Sequence, residues 1–176
     1  MDAGLGILLI RLVGGVLLAG HGAQQLFGWF GGNGLTGTAR FFDRLGWRPG
    51  LRYAVLGGSA NLLAGVLLGV GLFTVLGAAL AVTMMGNAIG AVYWRHGLWA
   101  QRGGFEYPLT LVVLVLSVAV TGPGPYSVAA VTGIGRFAGL PALAGTLLVC
   151  AVGVVAGQWL RRHRVTARGS EQASTR

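Results

Sequence analysis

YAVLGGSANLLAGVLLGVGLFTVLGAALAVTMMGNAIGAVYW, residues Tyr53–Trp94, runs for 42 residues without one charged side chain. Drawn as a single helix it would reach roughly 63 Å at about 1.5 Å per residue, twice the hydrocarbon thickness of a bilayer. The stretch therefore reads as two membrane crossings joined by a tight turn. The first covers about Tyr53–Leu72, with Asn61 inside it. After a turn near Gly71–Thr74, the second covers about Thr74–Trp94, with Asn87 inside it.

Further crossings appear on either side. An apolar span from about Gly4 to Phe27 is interrupted by Arg11 and closes on His21, Gln24 and Gln25. A glycine-rich stretch, Gly28–Gly37, leads into TARFFDRLGW. There Phe41, Phe42 and Leu45 share one side, and Arg40, Asp43 and Arg44 take the other. This pattern predicts a short amphipathic helix lying in the interface, closed by Gly46 and Pro49. A loop, Arg95–Gly104, precedes an apolar span that begins at Phe105-Glu106-Tyr107-Pro108 and ends at Thr121. Pro108 suits a first helical turn, where its missing N–H costs nothing. GPGPY, Gly122–Tyr126, ends the span, and the mildly apolar Ser127–Gly135 reads as either an ordered loop or a short helix. A last span runs from about Phe137 to Leu160, followed by a polar, basic tail expected to be disordered.

Composition agrees. Charged residues make up 10% of the chain and mean hydropathy is +0.71; soluble domains carry about a quarter charged residues, so a membrane class is indicated. A pI near 11.5 raises nucleic acid as a partner. The basic residues, however, gather at the ends of apolar spans, where lipid phosphates lie, and not on a base-reading face. The single cysteine, Cys150, excludes an intramolecular disulfide and a CxxC pair. The N-terminus lacks a basic n-region, so no cleavable signal is expected.

All 13 basic residues other than histidine are arginines, and five crossings sort them. Arg40, Arg44, Arg48, Arg52, Arg95, Arg102, Arg161, Arg162, Arg164, Arg168 and Arg176 fall on one side. Arg136 alone falls on the other. That asymmetry predicts the N-terminus outside and the C-terminus in the cytoplasm. Trp29, Trp94, Trp99 and Trp159 fall near the same boundary, as an aromatic belt requires.

With this topology His21, Asn61 and Asn87 lie at a common depth, roughly 12–14 Å inside the cytoplasmic boundary at about 1.5 Å per residue. His21 and Gln25 are four residues apart on one helix face. Gln24 and Gln25 lie nearer the rim, and Glu106 opens its span on that side. Polar groups in lipid are costly, so the expectation is a polar pocket in the cytoplasmic half built from His21, Gln24, Gln25, Asn61, Asn87 and Glu106. The alternative is structural: Asn and Gln hydrogen-bonding across helices, and Glu106 capping its helix through the dipole. Arg11 stands apart in the outer half. Either it snorkels outward with Asp2 as an interfacial partner, or it faces the bundle as an outward-facing ligand contact. His96 and His163 lie in a loop and the tail, so no metal site is expected. The pairs Gly65/Gly69, Gly86/Gly90 and Gly153/Gly157 have the small-xxx-small spacing of close helix packing.

HGAQQLFGWFGG (His21–Gly32) and GTARFFDRLG (Gly37–Gly46) resemble the signature of the DoxX family of small bacterial membrane proteins. GGFEYPL (Gly103–Leu109) and GPGPYS (Gly122–Ser127) resemble its later motifs, and the resemblance covers roughly residues 5–129. It implies a four-helix membrane bundle, here residues 1–136, to which a fifth crossing, 137–160, and a basic cytoplasmic tail, 161–176, are added. The fold class expected is thus an all-α integral membrane protein of the bacterial plasma membrane. Family members are associated with redox systems, among them a thiosulfate:quinone oxidoreductase. The family often carries lysine where this chain has Gln25, glutamate where it has Asn61, and aspartate where it has Ala129. These departures weaken any inherited proton-coupled mechanism.

The resemblance implies an accessory membrane subunit of a quinone-linked redox system, not a stand-alone enzyme. The sequence carries no cofactor motif, and quinone is the one cofactor the resemblance suggests. The alternatives are a membrane protein that binds or transports a small apolar molecule or lipid, and a structural assembly factor. Membrane lipid, subunits of a redox enzyme and a second copy of the chain are the partners to consider.

Overall fold

Small residues determine which helices meet. The computed structural model describes residues 3–174, with side chains described as far as residue 162. Helix α1 (Ala3–Phe27) presents Gly15, Ala19 and Gly22 to α3 (Gly50–Val70). A Cβ added at Gly15 would lie 2.8 Å from the Gly65 carbonyl oxygen and 2.9 Å from Gly69 Cα; one at Gly22 would lie 2.5 Å from Leu62 N. Lipid tails are as apolar as leucine, so helices in a bilayer gain little from hiding apolar surface. They associate through close backbone approach, and only glycine permits it here. Residue numbers rise along α1 as they fall along α3, so the two helices are antiparallel.

The 42-residue apolar run divides near the expected place. Gly71, at φ 71°, ends α3 in the left-handed conformation, and α4 (Thr74–Ala88) begins three residues later. A wider π-type turn, Ile89–Tyr93, and a 3₁₀ turn, Trp94–His96, carry α4 onward. Helix α3 starts earlier than expected, at Gly50. Pro49 supplies extended backbone immediately before it, so Arg52 falls inside its first turn.

Between α1 and α3, α2 (Gly34–Leu45) packs on both. Asp43 accepts the Gly50 N–H at 2.9 Å, tying the end of α2 to the start of α3. Helix α5 (Glu106–Thr121) returns antiparallel to α4, and Leu111, Val115 and Val118 close the core against Ala78, Ala81 and Met85.

The final helix, α7 (Leu140–Ser174), lies outside α4 and runs parallel to it. The two remaining glycine pairs both lie in this contact, each glycine facing a side chain of the other helix. A Cβ at Gly86 would lie 2.6 Å from Val154 Cγ2, one at Gly90 3.0 Å from Gln158 Nε2, and one at Gly153 2.6 Å from Thr83 Cγ2. At Gly157 a Cβ would collide with the Asn87 amide.

One alternative is resolved and one expectation needs correction. The segment Ser127–Gly135, open between loop and helix, contains a short helix, α6 (Val128–Thr132). Ser127 caps it by accepting the Ala130 N–H at 3.0 Å. The basic tail, expected to be disordered from residue 161, continues α7 to Ser174, since nothing between Leu160 and Ser174 breaks a helix except one glycine. Four helices are long and apolar enough to cross a membrane: Ala3–Phe27, Gly50–Val70, Thr74–His96 and Leu140–Arg162. Helix α5 is apolar but shorter, at 16 residues.

Candidate functional site

The six polar residues expected to share a pocket are divided among four places. His21, Gln25 and Asn61 form one chain. The Gln25 and His21 Nε2 atoms are 3.0 Å apart, and the Gln25 side-chain oxygen accepts from Asn61 Nδ2 at 3.3 Å. With Gln25 donating its amide N–H, His21 Nε2 is the acceptor and the ring proton sits on Nδ1, an assignment made from the network. Asn61 is 3% exposed, and its Oδ1 has no partner among the described residues. Beside the His21 ring lies a small, partly open cavity of about 40 Å³, bounded by Leu18, Met85, Tyr93, Tyr107 and Leu111. Each water needs roughly 10–15 Å³ of such space, so the cavity is sized for a few waters.

Asn87 turns the other way. Its Nδ2 donates to the Thr83 carbonyl at 3.0 Å, and Gln158 on α7 donates to the Asn87 carbonyl at 3.1 Å. Glu106 accepts the Ala100 N–H at 2.9 Å, pinning the loop ahead of α5. Gln24 Nε2 donates to the Phe30 carbonyl at 3.4 Å, holding the turn after α1. Equal depth brought these residues to one level of the bundle, and the direction of each side chain separated them. Gln158 was passed over in the sequence, where the available signal was a lone amide inside an apolar span. Trp47, Tyr93 and Tyr107 were passed over too; aromatic residues near a membrane boundary are too common to stand out.

Arg11 does not snorkel. It is 2% exposed, and its guanidinium is surrounded by backbone carbonyls. Nε donates to Leu68 O at 2.9 Å and Nη2 to Gly69 O at 2.9 Å. Nη1 donates to Pro123 O at 2.6 Å and to Tyr126 O at 2.9 Å. Leu68 and Gly69 lie in the last turn of α3, where the carbonyls carry the negative end of the dipole and lack the i→i+4 partners of the helix interior; Leu68 O has only the capping Gly71 N–H at 3.1 Å besides Arg11. Pro123 and Tyr126 belong to GPGPYS. One side chain thus satisfies a helix end and a loop that are distant in sequence. Gly71 is required beside it, because a Cβ there would strike the guanidinium and lie 2.6 Å from Ser127 Cβ. Asp2, the expected partner, lies outside the described residues. A more open groove of about 410 Å³ passes Arg11, lined by Leu8, Val70, Tyr126, Val128 and Val131.

Among the described residues no three His, Cys, Asp or Glu side chains come together as a metal set would. Cys150 is buried, its thiol directed at the Ala79 carbonyl at 3.4 Å.

Four apolar helices of crossing length, held by glycine contacts and internal hydrogen bonds, define a multi-pass membrane protein. Residues 6–96, just over half of the 176, match the DoxX family, and the chain belongs to it. The match spans α1 to α4 and so includes the His21–Gln25–Asn61 chain; α5 to α7 lie beyond it. No curated protein and no solved structure matches the chain.

Proposed function

We propose that this chain is an accessory, non-catalytic membrane subunit of a quinone-linked redox system. It would cross the bilayer five times, with α5 as the fourth crossing, α2 in the interface and the arginine-rich end in the cytoplasm. One observation carries the non-catalytic part of this reading. Asn87, Glu106, Gln24 and Arg11 are engaged in holding helices and loops together, and the cavity left at His21 is about 40 Å³. Pockets that enclose a small organic ligand are about 300–1,000 Å³, so a quinone ring fits no space at that histidine. The redox association is supported by the family's association with such systems.

The test is purification in native lipid followed by mass spectrometry and turnover of the intact assembly. Co-purified redox subunits, with turnover retained in an assembled His21→Leu variant, support the proposal. An assembled His21→Leu complex that no longer turns over contradicts the non-catalytic reading. Recovery of the chain without partners, carrying a stoichiometric small apolar molecule, favours the second reading, a binding or transport protein. That reading has its own observation, the groove of about 410 Å³ beside Arg11.

A further inference from the structure

The four acceptors of Arg11, on Leu68, Gly69, Pro123 and Tyr126, are neutral carbonyls. They solvate the guanidinium and leave its charge uncompensated. Of the described carboxylates, Asp43 bonds Gly50 at the opposite end of α3, about 27 Å from Leu68 at about 1.5 Å per residue. Glu106 bonds Ala100 and opens α5, about 22 Å along that helix from the turn that holds Pro123. A charge that is only 2% exposed is costly unless an opposite charge meets it. The guanidinium also has a donor to spare. Nη2 carries two N–H groups and makes one bond, to Gly69 O, so one of the five N–H donors has no partner among the described residues.

Arg11 is the one charged side chain that lines the open groove of about 410 Å³, whose walls are apolar at Leu8, Val70, Val128 and Val131. Two hydroxyls on the α6 side are already engaged: Ser127 Oγ donates to Gly124 O and accepts from Ala130, and Thr132 Oγ1 donates to Val128 O. Arg11 lies deep in the groove, and Val131, 88% exposed, stands at its rim. Leu5 and Leu12 lie within about 60° of Leu8 around the α1 axis at about 3.6 residues per turn. Both are exposed, so the apolar wall runs on to the outer surface of α1. One cation deep in such a groove complements one anion on an apolar chain. The volume is near the lower end of the roughly 300–1,000 Å³ of small-molecule sites, which suits one chain and not the two of a phospholipid.

We propose that this groove binds a long-chain fatty acid, with its carboxylate on Arg11 Nη2 and its hydrocarbon chain between α1 and α6. A carboxylate is the narrow, singly charged head that a nearly closed guanidinium admits, and hydrogen bonds between two ionised groups are short and strong. The proposal rests on the groove that favours the binding reading above and names its ligand. The redox reading does not depend on it.

The experiment is photo-crosslinking of the whole chain in nonionic detergent, using palmitate with a diazirine in its chain, followed by mass spectrometry of the labelled sites. Labelling is expected within residues 5–12 and 126–132. A charged hydrogen bond is worth about tenfold or more in affinity, so unlabelled palmitate should compete about tenfold better than hexadecanol, which has the same chain and no charge. Arg11→Gln should lower labelling by a similar factor. Because that change also loosens the clamp, Val128→Trp is the second probe; it narrows the groove from α6, leaves the Arg11 bonds in place and should lower labelling too. Arg136→Gln, at an exposed arginine beyond α6, should leave labelling unchanged. Thermal unfolding shows whether each variant keeps its fold. Should Arg11→Gln unfold, Val128→Trp and the hexadecanol comparison decide alone. Equal competition by hexadecanol would overturn the carboxylate and leave the binding reading, a groove for uncharged apolar molecules. Labelling spread evenly over α1 and α7 would overturn the site. So would full labelling of folded Arg11→Gln or Val128→Trp, equal losses in Arg11→Gln and Arg136→Gln, or displacement by phosphatidylglycerol as effective as by palmitate.

Discussion

Replacing Arg11 with leucine removes all four hydrogen bonds that join α1, the end of α3 and the GPGPYS loop. A hydrogen bond from a charged donor contributes about 1.5–3 kcal/mol, so the gross loss is about 6–12 kcal/mol. Burying the guanidinium costs several kcal/mol in the wild type, and leucine avoids that cost, which brings the net loss to about 3–5 kcal/mol. Leu68 O keeps the Gly71 N–H at 3.1 Å as a partner, which limits the damage at one of the four acceptors. A loss of this size should lower the midpoint of thermal unfolding in detergent by roughly 6–20 °C. The loosening should be local as well as global. Ala129 N donates to Gly71 O at 3.2 Å, so its amide proton should exchange much faster in the variant. Arg11→Lys, which keeps the charge but not the planar fork, should fall between the two. If Arg11→Leu melts within about 2 °C of the wild type and residues 123–129 exchange as before, the carbonyl clamp stabilises nothing and the reasoning is wrong.

Gly71→Ala should destabilise by more than about 1 kcal/mol, since alanine disfavours a φ of 71° and its methyl would meet Arg11 and Ser127. Combined with Arg11→Leu the penalty should shrink, and a double-mutant cycle showing simple additivity would argue against their contact. Asn61→Leu removes one bond to Gln25 but also an unpartnered buried oxygen, so unfolding should shift by less than about 1 kcal/mol; a large loss would indicate water or ligand held at Oδ1. Gly86→Cys and Val154→Cys should cross-link α4 to α7 on oxidation, and adding Gly157→Leu should lower the yield; an unchanged yield would mean the glycine pairs do not set this contact. A reporter fused to the C-terminus should read as cytoplasmic and one placed at Arg136 as external, and the reverse pattern would invert the topology.

The sequence made the helices legible because apolar length is a local property. Tyr53–Trp94 could only be two crossings, and Gly71 marked where they part. The glycine pairs were visible as spacing, but not which helix each would meet, because close packing requires two surfaces. The site residues were hardest for the same reason. His21 and Gln25 share a helix face and do bond, whereas Asn87 shares their depth and faces α7. Depth follows from counting residues along a helix; direction depends on neighbours supplied elsewhere in the chain. Arg11 was the extreme case, since its acceptors are backbone carbonyls and no side chain advertises them. The short helix α6 was hidden by five residues with too little periodicity to read, flanked by Gly133 and the GPGPY turn.

The carbonyl clamp also constrains the order in which this protein can be assembled. Arg11 belongs to α1, which leaves the ribosome before any of its acceptors, and these arrive in two instalments. Leu68 and Gly69 come with α3, while Pro123 and Tyr126 follow α5. Until residue 126 has been made, the charge on α1 has at most half of its final partners. The early bundle must therefore tolerate an incompletely solvated arginine at that end. The last turn of GPGPYS then acts as a latch: it closes on a residue synthesised more than one hundred positions earlier, and only a chain that has placed α1, α3 and α5 correctly can close it.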